Sequence, residues 1–492
     1  MFEKDVFNSY CNPLSIPDMP RGIDGWLARE KGMFEPGCKP QDVKEGDYRS
    51  ISDPTVMYYD NKWYLYPSYG MAWVSENFKD WKHVRTEPYC PKYSPCIIPW
   101  KGKFLMTSWF CPLYVADSPV GPFQCLGEFI MPDGSEVTFC DPAMFADEDG
   151  RLYVYAFDMQ KVPEEDYQCC RTLGYELDQE EPRKIIQGPV ELQVMRPNLY
   201  WWERNGLHYQ DTKFGWTEGV HVMKHEGRYY LIYAAPNTTN GSYCMAVYYS
   251  DESPLSGFVC QKKNPLTFHR EGIVRGAGHG CVEHGPNGTL WAFYTIATGN
   301  THKYERRIGM DLVTVDENGE LYCPYGVTDT PQYIPGYRNN PETEGNSPGL
   351  YPLTGWCRPE GSSAKPGRDA LYACDESSLT WWEPQEEDRI PTLTCDLLAN
   401  YDVMAARIFW KENGLDYDNG ILPGAMQYYV EGYNGAQWEL LLDCRDASED
   451  FNIDYKTFSS KKCTKVRLTL TGWPEGIHPG VIDFAVFGVR SV

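Results

Sequence analysis

The sequence predicts an all-β protein, a five-bladed β-propeller followed by a β-sandwich of the jelly-roll kind, and three observations predict it. First, one unit occurs five times: a polar residue, a strand, a Gly or Asn turn, and a second strand rich in Tyr, Trp and Leu. The units are headed by Asp53, Ser94, Asp141, Glu218 and His279, and the turn residue (Asn61, Gly102, Gly150, Gly227, Gly288) follows each head by eight or nine positions. Second, tandem repeats of several strands spaced by roughly 40 to 50 residues favour radial assembly into blades, and longer intervals are read as loop insertions, which cost little. Third, from Ala370 onward six short runs (TLTCDLL, ARIFWK, QYYVEGY, WELLLDC, KVRLTLTGW and VIDFAVFG) alternate without any helical period, the pattern of a sandwich.

Taken in order, residues 1–49 are rich in Pro and Gly and read as a lead-in to a propeller domain spanning 1–330. Asp18 is a stray carboxylate there and a minor rival for any catalytic base. Blade one is SDPTVMYYDNKWYLYPSYG with MAWVSENFKDW, blade two SPCIIPWKGKFLMTSW with LYVADSPVGPF, and blade three CDPAMFADEDGRLYVYAF with CCRTLGYELD. The stretch from Glu164 to Trp216 reads as an insertion whose VELQVMRPNLYWWERNGLHYQD portion covers one face as a short helix or loop. Blade four is TEGVHVMKHEGRYYLIYAA with CMAVYYSDESPLSGF, and blade five ends in RRIGMDLVTVDENGEL, opening on Arg306 and Arg307. Residues 331–369, dense in Pro, Gly, Asn and Ser, read as a linker or surface wrap, and 370–492 as the sandwich.

The chain is long enough for large cores: 492 residues, 42% hydrophobic, with 36 Tyr and 16 Trp. A net charge of −24 argues against nucleic acid and anionic membrane surfaces as partners. The first residues lack the apolar stretch of a signal peptide, and no apolar run reaches membrane-spanning length, so a cytoplasmic setting is expected. Its 18 Cys are scattered with no C-x-x-C pair, which reads as buried thiols in a reducing compartment rather than zinc-finger or redox chemistry. The sequence says nothing of oligomeric state.

In a propeller the first strand of each blade lines the axis, so Asp53, Asp141, Glu218 and His279 are expected to converge on one channel. Two carboxyl groups across a cleft can cleave a glycosidic bond, one protonating the leaving oxygen and the other activating water, with inversion when about 6.5 to 9.5 Å separates them. A third carboxyl beside the acid raises its pKa. Aromatic residues near such a cleft, Trp109, Trp201, Trp202 and Trp216, are candidates for a sugar platform or for plain packing. His221 is read as pocket lining or strand filler, and Arg275, Arg306 and Arg307 as rim charges, with a substrate role considered for Arg307.

The segments SDPTVMYYDNKWYLY, CDPAMFADEDGRLYVY and TEGVHVMKHEGRYYLIY, in that order, resemble the three signature segments of glycoside hydrolase family 43. The resemblance covers roughly Ile51 to Leu321. It implies a five-bladed propeller of an inverting glycosidase acting mainly on arabinofuranosides and xylosides, with an oligosaccharide as partner. Carried over residue by residue, it implies Asp53 as general base, Asp141 as the group that tunes and orients the acid, and Glu218 as general acid. His279 in GAGHGCVEH matches an axial histidine that stands beside a calcium ion or water in the channel, a structural ion and not a required cofactor; Arg307 matches a substrate-contacting arginine. The C-terminal segment resembles the discoidin (factor 5/8 type C) module, which makes Trp381 and Trp382 candidates for carbohydrate binding. Three alternatives stay open: β-galactofuranosidase-type specificity, a glycoside phosphorylase on a similar propeller, and a non-catalytic carbohydrate-binding protein.

Overall fold

The structure is a computed structural model that describes residues 5–19, 47–68, 72–86, 92–162, 167–355 and 357–491. Five antiparallel sheets follow one another along the chain. Their strands are Thr55–Tyr59, Lys62–Tyr66, Ala72–Ser75 and Lys82–Val84 in blade I, and Cys96–Trp100, Lys103–Thr107, Leu113–Ala116 and Gln124–Gly127 in blade II. Blade III has Cys140–Ala146, Leu152–Val162, Tyr167–Leu177 and Ile185–Val194; blade IV has Glu218–His225, Arg228–Ala235, Cys244–Ser250 and Val259–Cys260, with Thr267–Phe268 also pairing the third strand. Blade V has Gly278–His284, Leu290–Ala297, Arg306–Val315 and Leu321–Tyr322.

Turn chemistry explains why each unit folds back so tightly. At Asp60-Asn61, Lys101-Gly102, Glu226-Gly227 and Asn287-Gly288 both central residues have positive φ, the type I′ geometry whose twist matches that of the flanking strands. Gly or Asn at the second site makes this cheap. The ring closes by packing rather than by a shared strand: Trp63, Leu65 and Phe78 of blade I meet Cys281, Phe293 and Met310 of blade V in one buried cluster. The innermost strands of all five blades line a central cavity of about 310 Å³, so the expected axial channel is present.

Seven strands form the C-terminal antiparallel sheet, in which the long strand Thr392–Asn413 pairs with both Ile453–Gly472 and His478–Arg490. Register breaks between Asp396 and Tyr401 bend that strand, and the sheet curls around a single core containing Trp382, Trp410, Val430, Leu468 and Phe484, a β-sandwich. The connecting stretch joins both bodies: Gln332–Tyr333 pairs with Ser9–Tyr10, and Tyr351–Pro352 with His478–Arg490.

Buried charge locks the two bodies together. Arg49 binds Glu412 through Nε and Nη2 and Asp450 through Nη1, and Arg407 binds Asp483 and the backbone oxygens of Asn12 and Asp329. Two expectations change here. The stretch after Glu164 is largely the outer half of blade III, because Val190–Val194 completes its fourth strand; only Trp201–Glu203 forms a 3-10 turn. Asp18 is exposed at this junction, its N–H donating to Asp450 O, and holds no place near the axis.

Candidate active site

Four of the five blade heads share a backbone conformation, and in the remaining blade the next residue adopts it. Asp53, Ser94, Asp141 and His279 have φ of 50°, 47°, 44° and 41°, and in blade IV the residue at +58° is Gly219. Left-handed backbone is costly for residues with a Cβ and is tolerated where surrounding structure holds it, commonly at functional sites. In blades III, IV and V the register breaks at these same residues, and the bulge turns a side chain out of the ladder toward the axis. Glu218 therefore sits one residue earlier than the equivalence with Asp53 and Asp141 implied: it pairs with Ala234 as Cys140 pairs with Phe157 and Gly278 with Thr295.

Asp53 is held as an anion. Its Oδ2 accepts from Ser68 Oγ at 2.7 Å and Ser52 Oγ at 3.0 Å, and its Oδ1 accepts from Arg306 Nη1 at 3.1 Å. Its backbone N–H donates to Thr295 Oγ1 at 2.7 Å. Burial works to raise this carboxyl, but Arg306 foremost, then His279 and the two serine hydroxyls, carry it below the ordinary carboxylate range. Arg306 also donates to Thr238 Oγ1 at 3.0 Å, and its buried Nε has no partner among the described residues.

Asp141 and Glu218 are pushed the other way. Burial raises Asp141 well above its ordinary value, and the charges of Glu218 and Asp53 add to it; its carboxylate accepts the Gly219 N–H. Burial likewise raises Glu218, against the pull of His279 and a 2.7 Å bond from Tyr243 Oη to Glu218 Oε1. Burial and the neighbouring negative charges therefore favour the protonated form of this pair. Asp53 and Asp141 are buried and Glu218 is half-buried, which leaves Glu218 within reach of a ligand.

His279 connects the two halves. Its Nε2 is 2.9 Å from Ser94 Oγ, its Nδ1 is 3.5 Å from Asp53 Oδ1, and its ring lies against Gly219. Both ring nitrogens face protein groups, Ser94 Oγ and Asp53 Oδ1, so His279 would meet a calcium ion or its water only by giving up one of these contacts. Ser94 in turn donates its N–H to Ser68 Oγ at 2.9 Å, which joins three blade heads in one network.

The remaining candidates divide. Trp109 is half-buried and donates Nε1–H to Cys140 Sγ at 3.1 Å, beside Asp141. Trp216 is half-buried two residues before Glu218, its N–H bonded to Pro236 O. His221 lines the central cavity with its Nε2 3.1 Å from Val282 O, and burial lowers it to about 4; it is a neutral channel residue and not a partner of the carboxylates. Arg307 is corrected: its guanidinium is spent on Asn452, Glu305 and the backbone oxygens of Arg49 and Arg306, facing the sandwich. The adjacent Arg306 reaches the site instead. Trp202 is buried with Nε1–H on Tyr233 Oη, and Trp201 packs edge-on against Tyr209 and Phe268. Trp382 is fully buried and offers no ring face, and half-buried Trp381 lies under Arg368 and Lys411.

A carboxyl lowered by its partners, sharing a propeller hub with two carboxyls raised by burial, is the equipment of an acid–base glycoside hydrolase. Residues 43–321, more than half of the chain, match the family described as Glycosyl hydrolases family 43. The chain belongs to that family, and it is a glycoside hydrolase acting on carbohydrate. Among solved structures, a thermostable family-43 glycoside hydrolase is 22% identical, covering 67% of this chain and 100% of its own, with a TM-score of 0.51; that likeness speaks for the fold. A family-43 protein of Bacillus licheniformis is 14% identical over 98% of this chain and 100% of its own (TM-score 0.45). An endo-1,4-beta-xylanase from Bacteroides thetaiotaomicron is 20% identical over 57% and 97% (TM-score 0.44). No curated protein matches the sequence. Among the described residues no helix is long and apolar enough to cross a membrane.

Proposed function

We propose that the protein is an inverting glycosidase that releases terminal arabinofuranosyl, xylosyl or related units from oligosaccharides. Asp53 removes a proton from water, whose oxygen attacks the anomeric carbon as the glycosidic C–O bond breaks. Glu218 delivers its proton to the departing oxygen. Asp141, hydrogen-bonded to the residue next to Glu218, keeps that proton in place before the reaction and orients the acid. The observation that carries this reading is the opposite pull on the carboxyls: Asp53 lowered, Asp141 and Glu218 raised. Environments that separate the pKa values of neighbouring acids assign base and acid between them.

Trp109 and Trp216 flank the carboxylates as candidate sugar contacts. A phosphorylase needs cations free to bind phosphate, whereas Arg306, the cation beside Asp53 among the described residues, is committed to that carboxylate. Proton NMR of the first-formed sugar tests the proposal. Inverted anomeric configuration is expected; retention would remove the water-activating role from Asp53.

A further inference from the structure

The sandwich core brings together three cysteines that lie far apart in the sequence. Cys357 follows the strand Tyr351–Pro352, with its N–H on Thr354 O. Cys374 ends the 3-10 turn Ala370–Ala373, and Cys395 lies in the long strand Thr392–Asn413. All three are buried, and their Sγ atoms lie within 4.8 Å of one another, Cys374 and Cys395 at 3.7 Å. Packing alone does not call for sulfur at three converging positions, since any small apolar side chain fills such space.

We propose that Cys357, Cys374 and Cys395 form a three-thiolate site for one thiophilic d10 cation, Zn²⁺ or Cu⁺. Sulfurs bound at about 2.3 Å stand a little under 4 Å apart around a tetrahedral or trigonal ion, so the observed triangle needs only slight contraction. Soft sulfur ligands select such ions over calcium and magnesium. Among the described residues no His, Asp, Glu or fourth Cys completes the set. Cu⁺ is content with three sulfurs, while Zn²⁺ takes a fourth donor, which water can supply.

Binding displaces the three thiol protons and changes no oxidation state. It ties the segment arriving from the propeller, through Cys357 and Cys374, to the central strand of the sandwich through Cys395. Because the unfolded chain has no such triangle, the binding free energy adds to folding of this part of the molecule.

The test uses the full-length protein purified with a thiol reductant and without chelator. Elemental analysis should find one zinc or copper per chain, and titration of the metal-free protein with Cd²⁺ should saturate at one equivalent with a thiolate-to-metal charge-transfer band. Competition with a Cu⁺-selective chelator separates the two ions. Cys357→Ser, Cys374→Ser and Cys395→Ser should each abolish the band, and Cys125→Ser, at an exposed site, should keep it. The wild-type titration does not depend on the variants folding. Absence of the band overturns the proposal; counting thiols in denaturant then separates an empty thiol core, with all 18 cysteines free, from a disulfide, with two missing.

Discussion

Gly219 lies so close to His279 that a β-carbon on it would stand 2.5 Å from the imidazole Cγ. Its φ of +58° is also one that side chains rarely adopt. Both facts demand glycine beside the proposed acid. Gly219→Ala is expected to cost about 1–3 kcal/mol in strain and to displace Glu218 or His279, cutting kcat/KM. Adding His279→Ala restores room but not backbone comfort, so the double variant should recover part of the lost stability and little activity. Thermal unfolding of the two variants measures this.

Arg306 decides the charge of Asp53. Of the groups that oppose burial there it is the largest, and without it a buried carboxyl moves upward. Arg306→Met should shift the acid limb of the kcat/KM profile to higher pH and reduce activity about 10²-fold or more, the scale of general-base assistance. Arg306→Lys should keep the limb nearer its wild-type position. A pH profile in which neither variant moves the limb would separate Arg306 from the base.

Asp141→Asn should trade activity for stability. Folding raises Asp141 and Glu218 together, so the folded pair holds a proton that the unfolded chain loses near pH 4. That contribution is complete below the unfolded pKa and is lost as pH rises through the folded one. The amide removes the penalty, so at pH 8 the variant should be more stable than wild type in denaturant unfolding, by about 1.4 kcal/mol for each unit by which the folded pKa exceeds the unfolded. At pH 4 the two should converge. A variant less stable at pH 8 would contradict the buried-acid account.

Arg49 anchors the propeller to the sandwich with a guanidinium 1% exposed between Glu412 and Asp450. Arg49→Ala strands the buried Glu412 carboxylate and should cost about 3–5 kcal/mol. Arg49→Ala combined with Glu412→Gln removes the stranded charge and should be less damaged than Arg49→Ala alone, as read by denaturant unfolding.

The propeller was legible because its turns are local: Asn61, Gly102, Gly227 and Gly288 announce type I′ hairpins, and the polar head of each unit falls at a nearly constant offset. Other features depend on what the chain does at long range. Adjacent strand residues point to opposite faces, so Arg306 and Arg307 are interchangeable in the sequence, and only the pairing of Arg306 with Ala297 and Arg307 with Ile296 decides which one meets Asp53. The bulge that places Gly219, not Glu218, at the left-handed position leaves no sign but the glycine itself. Ser68, Tyr243 and Thr295 reach the carboxylates from second strands and loops with no motif around them. The three clustered cysteines are invisible for the same reason, since their nearness is a product of the sandwich.

The most direct test of the acid and base assignments compares Asp53→Ala and Glu218→Ala on an unactivated oligosaccharide and on an aryl glycoside with an excellent leaving group, folding being checked for both. Such a leaving group departs without a proton. The account predicts that Asp53→Ala is inactive on both substrates, whereas Glu218→Ala fails on the oligosaccharide and retains turnover of the aryl glycoside. Equal losses on both substrates by the two variants would contradict it.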